Sequence, residues 1–315
     1  MAEETSSGQG GENGRLADQL DRIRAARKRR AIGGVVLVGL LGLLFVQALN
    51  AAGTLSTQYT TGFFLESLRD FFPLTYYFGF LPFVDFSQYL DFISERNLLF
   101  ASDISLLWSD PVQLVSEVRT LIGDEGVFSV FGVAGITLAM GFAGTIIGFP
   151  LALLFGVLGS ERVTPFPFNF VFRGTMSAIR AIPALVWILI YIPLAGLTPV
   201  SAVLAIGTDT VGNLGRLFTD ELEEIEEGPI EAMKTTGANR TQTVTFGMLS
   251  QVTTPYIAWT LYIFEINVRI AVSLGVYGAG GLGQVVETQV GLFQFTNAMA
   301  TLLCIFLLII SVELL

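Results

Sequence analysis

Residues 228–250 read GPIEAMKTTGANRTQTVTFGMLS, a polar stretch between two long apolar runs of the chain. Pro229 suits the first turn of a helix, where its missing N–H removes no helical hydrogen bond. Glu231, close behind it, complements the positive end of the helix dipole. Gly237 can end that helix in a left-handed conformation. The stretch therefore predicts a short helix, a turn and a second short helix, a shape that can fit a partner's groove.

The apolar runs on either side of this stretch indicate a membrane protein. Of the 315 residues, 52% are hydrophobic and 14% are charged, whereas soluble domains average about 25% charged residues. A helix that spans the bilayer takes about 20 apolar residues. The candidate spans are 31–49, 127–158, 170–194, 199–218, 252–276 and 293–315. We therefore expect an all-α, polytopic membrane protein with about six transmembrane helices.

The N-terminal part precedes the first span and carries a cluster of positive charge. Residues 1–20 are rich in Gly, Glu and Ser, which predicts a disordered tail, and the positions up to Arg30 are strongly basic. We expect residues 1–30 to be a disordered and basic cytoplasmic N-terminus. Residues 31–50 are then a first transmembrane helix, because the run is long enough to span the bilayer and no cleavage site is obvious.

Residues 51–126 differ from the rest of the chain in their mixture of aromatic and charged side chains. They hold ten acidic and three basic residues. This composition predicts an external segment with interfacial helices whose aromatic side chains lie at headgroup level. A short re-entrant helix at 71–84 is the alternative. Residues 127–315 are expected to form the core transmembrane domain, which includes the polar loop 219–251.

The positive charges of the loops predict the orientation of the chain. Six spans that begin in the cytoplasm also end there, so loops 159–169 and 219–251 would face the cytoplasm. Both of these loops hold Lys or Arg, whereas the opposite loops 195–198 and 277–292 hold none, as the positive-inside rule requires. We expect both termini in the cytoplasm, and a basic tail beyond Leu315.

The composition also excludes several kinds of chemistry. The chain has no His and one Cys, Cys304, which lies in an apolar run. We therefore expect no disulfide, no thiolate nucleophile and no metal site. The net charge is −10, which argues against nucleic acid as a partner. An acidic surface with only two lysines would suit a salt-adapted organism.

The polar stretch resembles the EAA coupling loop of ABC importer permeases. The matching residues are Glu231, Ala232, Gly237 and Leu249, and Pro229, Lys234 and Ala238 lie within the same loop. Two residues depart from the family pattern, because Met233 replaces the usual second Ala and Ser250 replaces a usual Pro. The resemblance implies a helix that inserts into an ATP-hydrolysing subunit. An ordinary acidic interhelical loop is the alternative interpretation.

Three further stretches are similar to phosphonate-type ABC permeases, and the similarity covers roughly residues 127–310. They read RAIPALVW (180–187), TVGNLGRL (210–217) and LYIFEINVRI (261–270), the last continuing to GAGGLG (278–283). Residues 74–126 look longer than is usual for that family. The resemblance implies a type I ABC importer permease, without catalytic activity, in the cell membrane.

The resemblance also implies what surrounds such a permease. The partners would be ABC ATPase subunits that bind ATP and Mg, a second permease copy and an external substrate-binding protein. The cargo would be a phosphonate-like anion. This chain would itself bind no cofactor, because it contains no P-loop motif.

Charged and polar residues inside the predicted spans are the candidates for a translocation path. Glu265 and Arg269 lie four residues apart in one span, so they share a helix face, and Asn267 can hydrogen bond across helices. Arg180 and Arg269 would suit an oxyanion because the guanidinium fork donates paired hydrogen bonds. A structural Glu265–Arg269 ion pair explains these two residues equally well. For Asp209 we favour a structural hydrogen bond.

The glycines at 278, 280 and 283 match a dinucleotide-binding fingerprint by letter. We reject that interpretation, because the fingerprint requires a preceding strand within a βαβ unit. Gly278, Gly280, Gly281 and Gly283 are predicted to allow a tight turn or close helix packing near the outer gate.

Two other functions stay open at this point. The same machine could carry phosphite, phosphate or another small solute. A secondary transporter that works without ATP would also use intramembrane charges and glycine-interrupted spans. A membrane scaffold without transport is disfavoured by the charges at mid-bilayer.

Overall fold

The computed structural model describes residues 7–57, 60–103 and 105–314, and most of its ordered elements are helices. In chain order the helices are α1 (Ser7–Ala51), α2 (Thr61–Phe71), α3 (Phe86–Glu95), α4 (Leu106–Ser109), α5 (Pro111–Asp124), α6 (Gly132–Gly159), α7 (Phe168–Arg180), α8 (Ala184–Ala195), α9 (Pro199–Glu223), α10 (Glu227–Thr235), α11 (Arg240–Gln242), α12 (Leu249–Leu274), α13 (Gly281–Gly291) and α14 (Phe295–Glu313). Strands β1 (Leu74–Tyr77) and β2 (Leu81–Val84) pair between α2 and α3.

The chain divides into two compact units, Met1–Phe64 and Leu65–Leu315. Helix α1 dominates the first unit and begins at Ser7, so the prediction of a disordered tail is wrong for residues 7–20. From Arg15 onward the tail consists mainly of Leu, Ala, Gln and Arg, which are strong helix formers. The glycines between 8 and 14 provide no local reason for a helix. Residues 1–6 lie outside the described residues.

Four helical segments of the described chain are long and apolar enough to cross a membrane: Ala26–Ala51, Val127–Gly159, Arg240–Ala279 and Phe295–Glu313. They correspond to four of the six predicted spans. The predicted span 170–194 is wrong as a single helix, because α7 and α8 meet at a bend of 89°. Pro183 lies at this bend; it has no N–H to donate, and it disfavours a helical conformation at the preceding residue.

Helix α9 contains the remaining predicted span, 199–218, and is too polar to rank among the apolar spans. At 25 residues it is about 37 Å long, which is sufficient to cross a bilayer. It packs against α6, α7, α8 and α12. A helix enclosed by other helices can carry polar residues such as Asp209 and Asn213 without exposing them to lipid.

Helices α6 and α9 share an extensive contact, and glycines line it. A Cβ added at Gly148 would lie 2.6 Å from the Gly207 carbonyl oxygen, and one at Gly156 would lie 2.8 Å from the Gly215 carbonyl oxygen. Small residues of this kind allow helix backbones to approach closely in membranes. The buried Leu214 and Phe218 extend this core toward α10 and α12.

Residues 74–126, called the insert below, contain a β-hairpin as well as helices. β1 and β2 are antiparallel, with Leu74 opposite Val84 and Tyr77 opposite Leu81. The alternative of a re-entrant helix at 71–84 is therefore wrong. Aromatic and β-branched side chains favour strands, and Pro82 cannot continue a helix.

Helix α3 anchors the insert to the bundle. Asp85 caps α3 by accepting a hydrogen bond from the Ser87 backbone N–H at 3.2 Å. Tyr89, Phe92 and Leu98 are buried in one cluster with Cys304 of α14. The carbonyl oxygen of Leu98 accepts a hydrogen bond from the Ala134 N–H in the first turn of α6, at 2.9 Å. The insert is thus fixed to α14 and to the start of α6.

The loops are grouped as the topology requires. Loop 159–169 contacts loop 219–251, since the Arg240 guanidinium donates a hydrogen bond to the Val163 carbonyl. At the opposite end of the bundle, a Cβ at Gly278 would lie 3.8 Å from the Leu197 side chain, so loops 195–198 and 277–292 are neighbours. The two loops of each pair are therefore neighbours, and which pair faces the cytoplasm stays a prediction.

Candidate functional site

The polar stretch forms a helix, a turn and a second helix, as predicted. Helix α10 includes Pro229 in its first turn and Lys234 in its last. Gly237 follows with a φ of 81°, a left-handed conformation that L side chains rarely adopt. Asn239 then starts α11 with a capping box, in which its side chain accepts from the Gln242 N–H. Helix α12 begins at Leu249, after a π-helical segment, Thr243–Met248.

One side of α10 packs against the bundle, and the other side is exposed. Ile230 is buried among Ile225, Met248 and Val252. Met233, which departs from the family pattern, lies against Gly247, where an added Cβ would be 3.4 Å from its Cγ. Of the residues predicted for this loop, Pro229, Glu231, Ala232 and Lys234 are exposed and available to a partner, whereas Ala238 and Leu249 are half-buried.

Ion pairs that were not predicted connect this loop to the neighbouring helices. Arg162 pairs with Glu227 of α10, and its Nε donates to the Glu223 carbonyl at 3.0 Å. Arg173 of α7 pairs with the Glu223 carboxylate, and its Nε donates to the Gly159 carbonyl at 2.9 Å. For Arg162 the signal was present in the sequence, because it and the glutamates occupy two loops that were expected on one side of the membrane, whereas Arg173 was placed inside the predicted span 170–194.

A polar cavity of about 360 Å³ lies beside α9 and opens to the surface of the chain at Arg180 and Tyr262. Its lining includes Arg180, Asp209, Asn213, Arg216, Leu217, Asp220, Tyr262, Ile263, Ile266 and Asn267. The Arg180 Nε donates to the Asn213 Oδ1 at 3.1 Å, and the Asn213 Nδ2 donates to the Asp209 Oδ2 at 2.8 Å. Asp209 thus has the structural hydrogen bond expected for it.

The cavity also contains residues that the sequence did not single out. Arg216 and Asp220, one turn apart on α9, form an ion pair with an Arg216 Nη2 to Asp220 Oδ1 distance of 3.0 Å. Asn213 connects Arg180 to Asp209. On α9, the i, i+4 spacing of Asp209 with Asn213 and of Arg216 with Asp220 is visible in the sequence, but this spacing does not show that the residues border a cavity. The lining carries two arginines and two aspartates, so their formal charges balance.

Asn267 joins three helices at the edge of this cavity. Its Nδ2 donates to the Thr145 Oγ1 of α6 and the Thr210 Oγ1 of α9, both at 2.8 Å. The predicted hydrogen bonding across helices is therefore confirmed. Within the described residues, the buried Asn267 Oδ1 accepts no hydrogen bond.

Glu265 and Arg269 form an ion pair on a different side of α12 from Asn267. Arg269 also approaches Glu313 of α14, with an Arg269 Nη2 to Glu313 Oε2 distance of 3.8 Å. Neither Glu265 nor Arg269 lines the polar cavity. Of the four residues proposed for the path, the structure brings Arg180 and Asn267 to the cavity and places the other two in a contact between α12 and α14.

The glycine motif forms the tight connection between α12 and α13. Gly278, Gly280 and Gly281 have φ values of 96°, 107° and 69°. A Cβ at Gly283 would lie 2.0 Å from the Val272 carbonyl oxygen, so this position requires glycine. The segment follows a helix, which excludes the βαβ context of a dinucleotide site. Over the described parts of the chain, no group of His, Cys, Asp and Glu is placed to hold a metal ion.

Comparison with known proteins shows which family the chain resembles. The family model described as "Binding-protein-dependent transport system inner membrane component" matches residues 144–315, more than half of the chain. HtxC of Stutzerimonas stutzeri, assigned to phosphite transport as a permease, is 38% identical over 183 residues, or 56% of this chain and 63% of HtxC. The phosphate-import permease protein PhnE of Mycolicibacterium smegmatis is 31% identical over 185 residues, or 58% of this chain and 35% of PhnE. The matches thus span less than two thirds of either relative.

A solved structure shares the fold. The inward-facing MetNI methionine ABC transporter matches with a TM-score of 0.50 and 20% sequence identity, over 68% of this chain and 95% of the transporter chain. At this identity the likeness shows the fold alone, which is that of a type I ABC importer permease. With the family match over residues 144–315, we conclude that this chain belongs to the inner membrane components of binding-protein-dependent transport systems.

Proposed function

We propose that this chain is the transmembrane permease subunit of an ATP-driven importer for a phosphorus oxyanion. The observation that carries the proposal is α10, a short helix with an exposed face that follows the membrane helix α9 and is held by Ile230 and by the Arg162–Glu227 pair. An exposed helix on a fixed base can dock into a groove of a partner. Because α10 directly follows α9, a movement of the partner that displaces α10 would also displace α9 and the bundle.

ATP hydrolysis would take place on other subunits. ATP and Mg would bind to ABC ATPase subunits that dock on α10, and this chain would be non-catalytic. A second permease copy and an external substrate-binding protein would complete the importer. The chain would lie in the cell membrane, with both termini and α10 on the cytoplasmic side, in agreement with the positive charges of loops 159–169 and 219–251.

The cargo class is supported by the cavity and by the relatives. Arg180 offers a guanidinium fork to the cavity, and such forks bind oxyanions through paired hydrogen bonds. The names of the relatives refer to phosphite and phosphate. Because the charges of the cavity lining balance, the site would hold an anion weakly, as a translocation path requires for release.

A pair of glycine variants tests the docking role of α10. Gly237→Ala places a Cβ at a φ of 81°, which costs roughly 1–2 kcal/mol, and should reduce recovery of the ATPase subunit with the tagged chain. Gly123→Ala on α5 is the matched control, because it lies outside α10, no heavy atom lies within 4 Å of an added Cβ, and its φ is ordinary. Equal recovery of the ATPase with both variants would contradict the proposal.

Uptake measurements test the cargo. Vesicles that contain the chain and its co-purified ATPase, with ATP inside and the substrate-binding protein outside, should take up labelled phosphate, phosphite or methylphosphonate, and should not do so without ATP. Arg180→Gln removes a charged hydrogen-bond donor worth about 1.5–3 kcal/mol, so uptake should fall about tenfold or more. Arg119→Gln makes the same change of charge on the insert helix α5 and should leave uptake unchanged. Uptake without ATP would favour a secondary transporter instead.

A further inference from the structure

The β-hairpin of the insert is uncharged and exposed. Residues 71–84 read FFPLTYYFGFLPFV and contain no Asp, Glu, Lys or Arg. The large exposed apolar side chains in this stretch are Phe72, Leu74, Tyr76, Tyr77, Phe78, Phe80, Leu81 and Phe83. Phe78 at the turn is 88% exposed. An apolar surface of this kind marks a site of interaction with another apolar phase or molecule.

Both faces of the hairpin are largely exposed, although Phe83 also contacts Phe86 of α3. Neighbouring residues of a strand point to opposite faces, and Tyr76 and Tyr77 of β1 are both exposed, as are Pro82 and Phe83 of β2. A two-stranded hairpin alone is marginally stable in water. The surroundings of this hairpin must therefore contribute to holding it in its folded form.

The base of the hairpin lies at the end of a membrane span. The Phe71 ring contacts that of Phe295, the first residue of α14, with 4.9 Å between ring centroids and 34° between the ring planes. The Thr296 hydroxyl donates to the Asp70 carbonyl at 2.7 Å. Helix α14 has 19 residues and is therefore about 28 Å long, close to the roughly 30 Å of the hydrocarbon core. Its first residue must lie near the boundary of that core.

The backbone of the hairpin determines how deep it can lie. Among the described residues, each strand has one paired edge and one edge whose N–H and C=O groups meet no further strand. Such groups are costly inside hydrocarbon, but water and headgroups can satisfy them in the interfacial layer. Tyrosine favours the same layer, because its ring is apolar and its hydroxyl is polar. A hairpin that lies flat in this layer satisfies both its side chains and its backbone.

The turn supports this placement. Phe78 has a φ of 55° and Gly79 a φ of 78°. A left-handed conformation is strained for a bulky residue such as phenylalanine. A large apolar side chain is thus kept at the most exposed point of the turn despite its backbone cost, which fits a side chain that enters the membrane surface.

We propose that the hairpin Leu74–Val84 is a membrane anchor that lies in the interfacial layer beside the start of α14, with Phe78 and Phe80 inserted among the lipids. The occupant of the exposed surface is lipid, since the surface continues from the start of a membrane-spanning helix and bears no charge that could pair with a soluble protein. This interaction is independent of ATP coupling and of the cargo.

Nitroxide accessibility can test the anchor in the full chain, reconstituted in phosphatidylcholine vesicles. Cys304→Ser removes the native thiol, and a spin label is then attached to Phe78→Cys or, in a second variant, to Phe80→Cys. Relaxation by oxygen, which concentrates in lipid, is compared with relaxation by a nickel chelate, which stays in water. Phe306→Cys on the exposed face of α14 is the lipid reference, and Thr120→Cys on α5 is the water reference.

We expect the labels at 78 and 80 to relax more with oxygen than with nickel, between the values of the two references. A nickel response equal to that of the label at 120 would place the hairpin in water and overturn the proposal. Protection from both reagents would also overturn it, because the hairpin would then be covered by protein, such as a second copy of the chain.

Discussion

Replacing Gly148 by alanine places a methyl group where α6 and α9 touch. The added Cβ would lie 2.6 Å from the Gly207 carbonyl oxygen, whereas ordinary contact begins at 3.4 Å, so the helices must separate by about 0.8 Å (3.4 − 2.6). A gap of that size forfeits roughly a quarter to a half of the dispersion energy of the facing atoms. Overpacking costs about 1–3 kcal/mol, and the helix propensity of alanine offsets up to about 1 kcal/mol. We expect a net loss of about 1–2 kcal/mol.

The single cysteine provides the assay. Cys304 is fully buried, so a maleimide that fluoresces on reaction with a thiol reports unfolding of the detergent-solubilised chain on heating. The midpoint of Gly148→Ala should fall by roughly 2–8 °C. Gly174→Ala is the control, because no heavy atom lies within 4 Å of its added Cβ, and its midpoint should stay the same or rise. A Gly148→Ala chain that melts at or above the wild-type temperature would refute the close-contact argument.

Three further predictions concern polar groups. Asn267→Leu removes two hydrogen bonds between helices, worth about 0.6 kcal/mol each, and should lower the same melting midpoint; an unchanged midpoint would contradict this. Arg269→Leu leaves Glu265 unpaired and should reduce the yield of monodisperse protein more than Glu313→Gln, since the Arg269–Glu313 contact is 3.8 Å long and exposed; equal yields would argue against the ion pair. Hydrogen bonds from Ser87 and Gln88 hold the pKa of Asp85 below its usual 3.8, so the cap of α3 is fully formed above about pH 4 and weakens as the pH falls through the lowered pKa. Amide exchange in α3 should show this dependence, corrected for intrinsic rates, and Asp85→Asn should abolish it.

Local sequence was sufficient for features that depend on local chemistry. The helix and turn of residues 228–250 are predictable, because Pro229 fixes its own φ and Gly237 accepts the left-handed conformation that ends a helix. Long apolar runs reveal spans such as α14, since the bilayer sets their length. The glycine connection after α12 is predictable for the same reason, because only glycine tolerates its φ values and close contacts.

Features that depend on tertiary contacts were missed. Arg180 and Asp220 are 40 positions apart (220 − 180), and only the packing of α7 on α9 brings them to one cavity. The contact of Arg269 with Glu313 depends in the same way on how α12 meets α14. The hairpin was not predicted because residues 74–84 are apolar on both faces. They therefore lack the alternation of apolar and polar residues that indicates a strand with one buried face.

The arginine contacts around α10 have a mechanical consequence. Arg173 connects the end of α6 at Gly159 to the end of α9 at Glu223, and Arg162 connects Glu223 to α10. These bonds connect the start of α10 to the ends of α6 and α9 and to α7. A force applied to α10 is therefore shared by several helices. The surface beneath α10 is therefore stiff, and a displacement of α10 strains α6, α7 and α9 together instead of being absorbed by a soft loop.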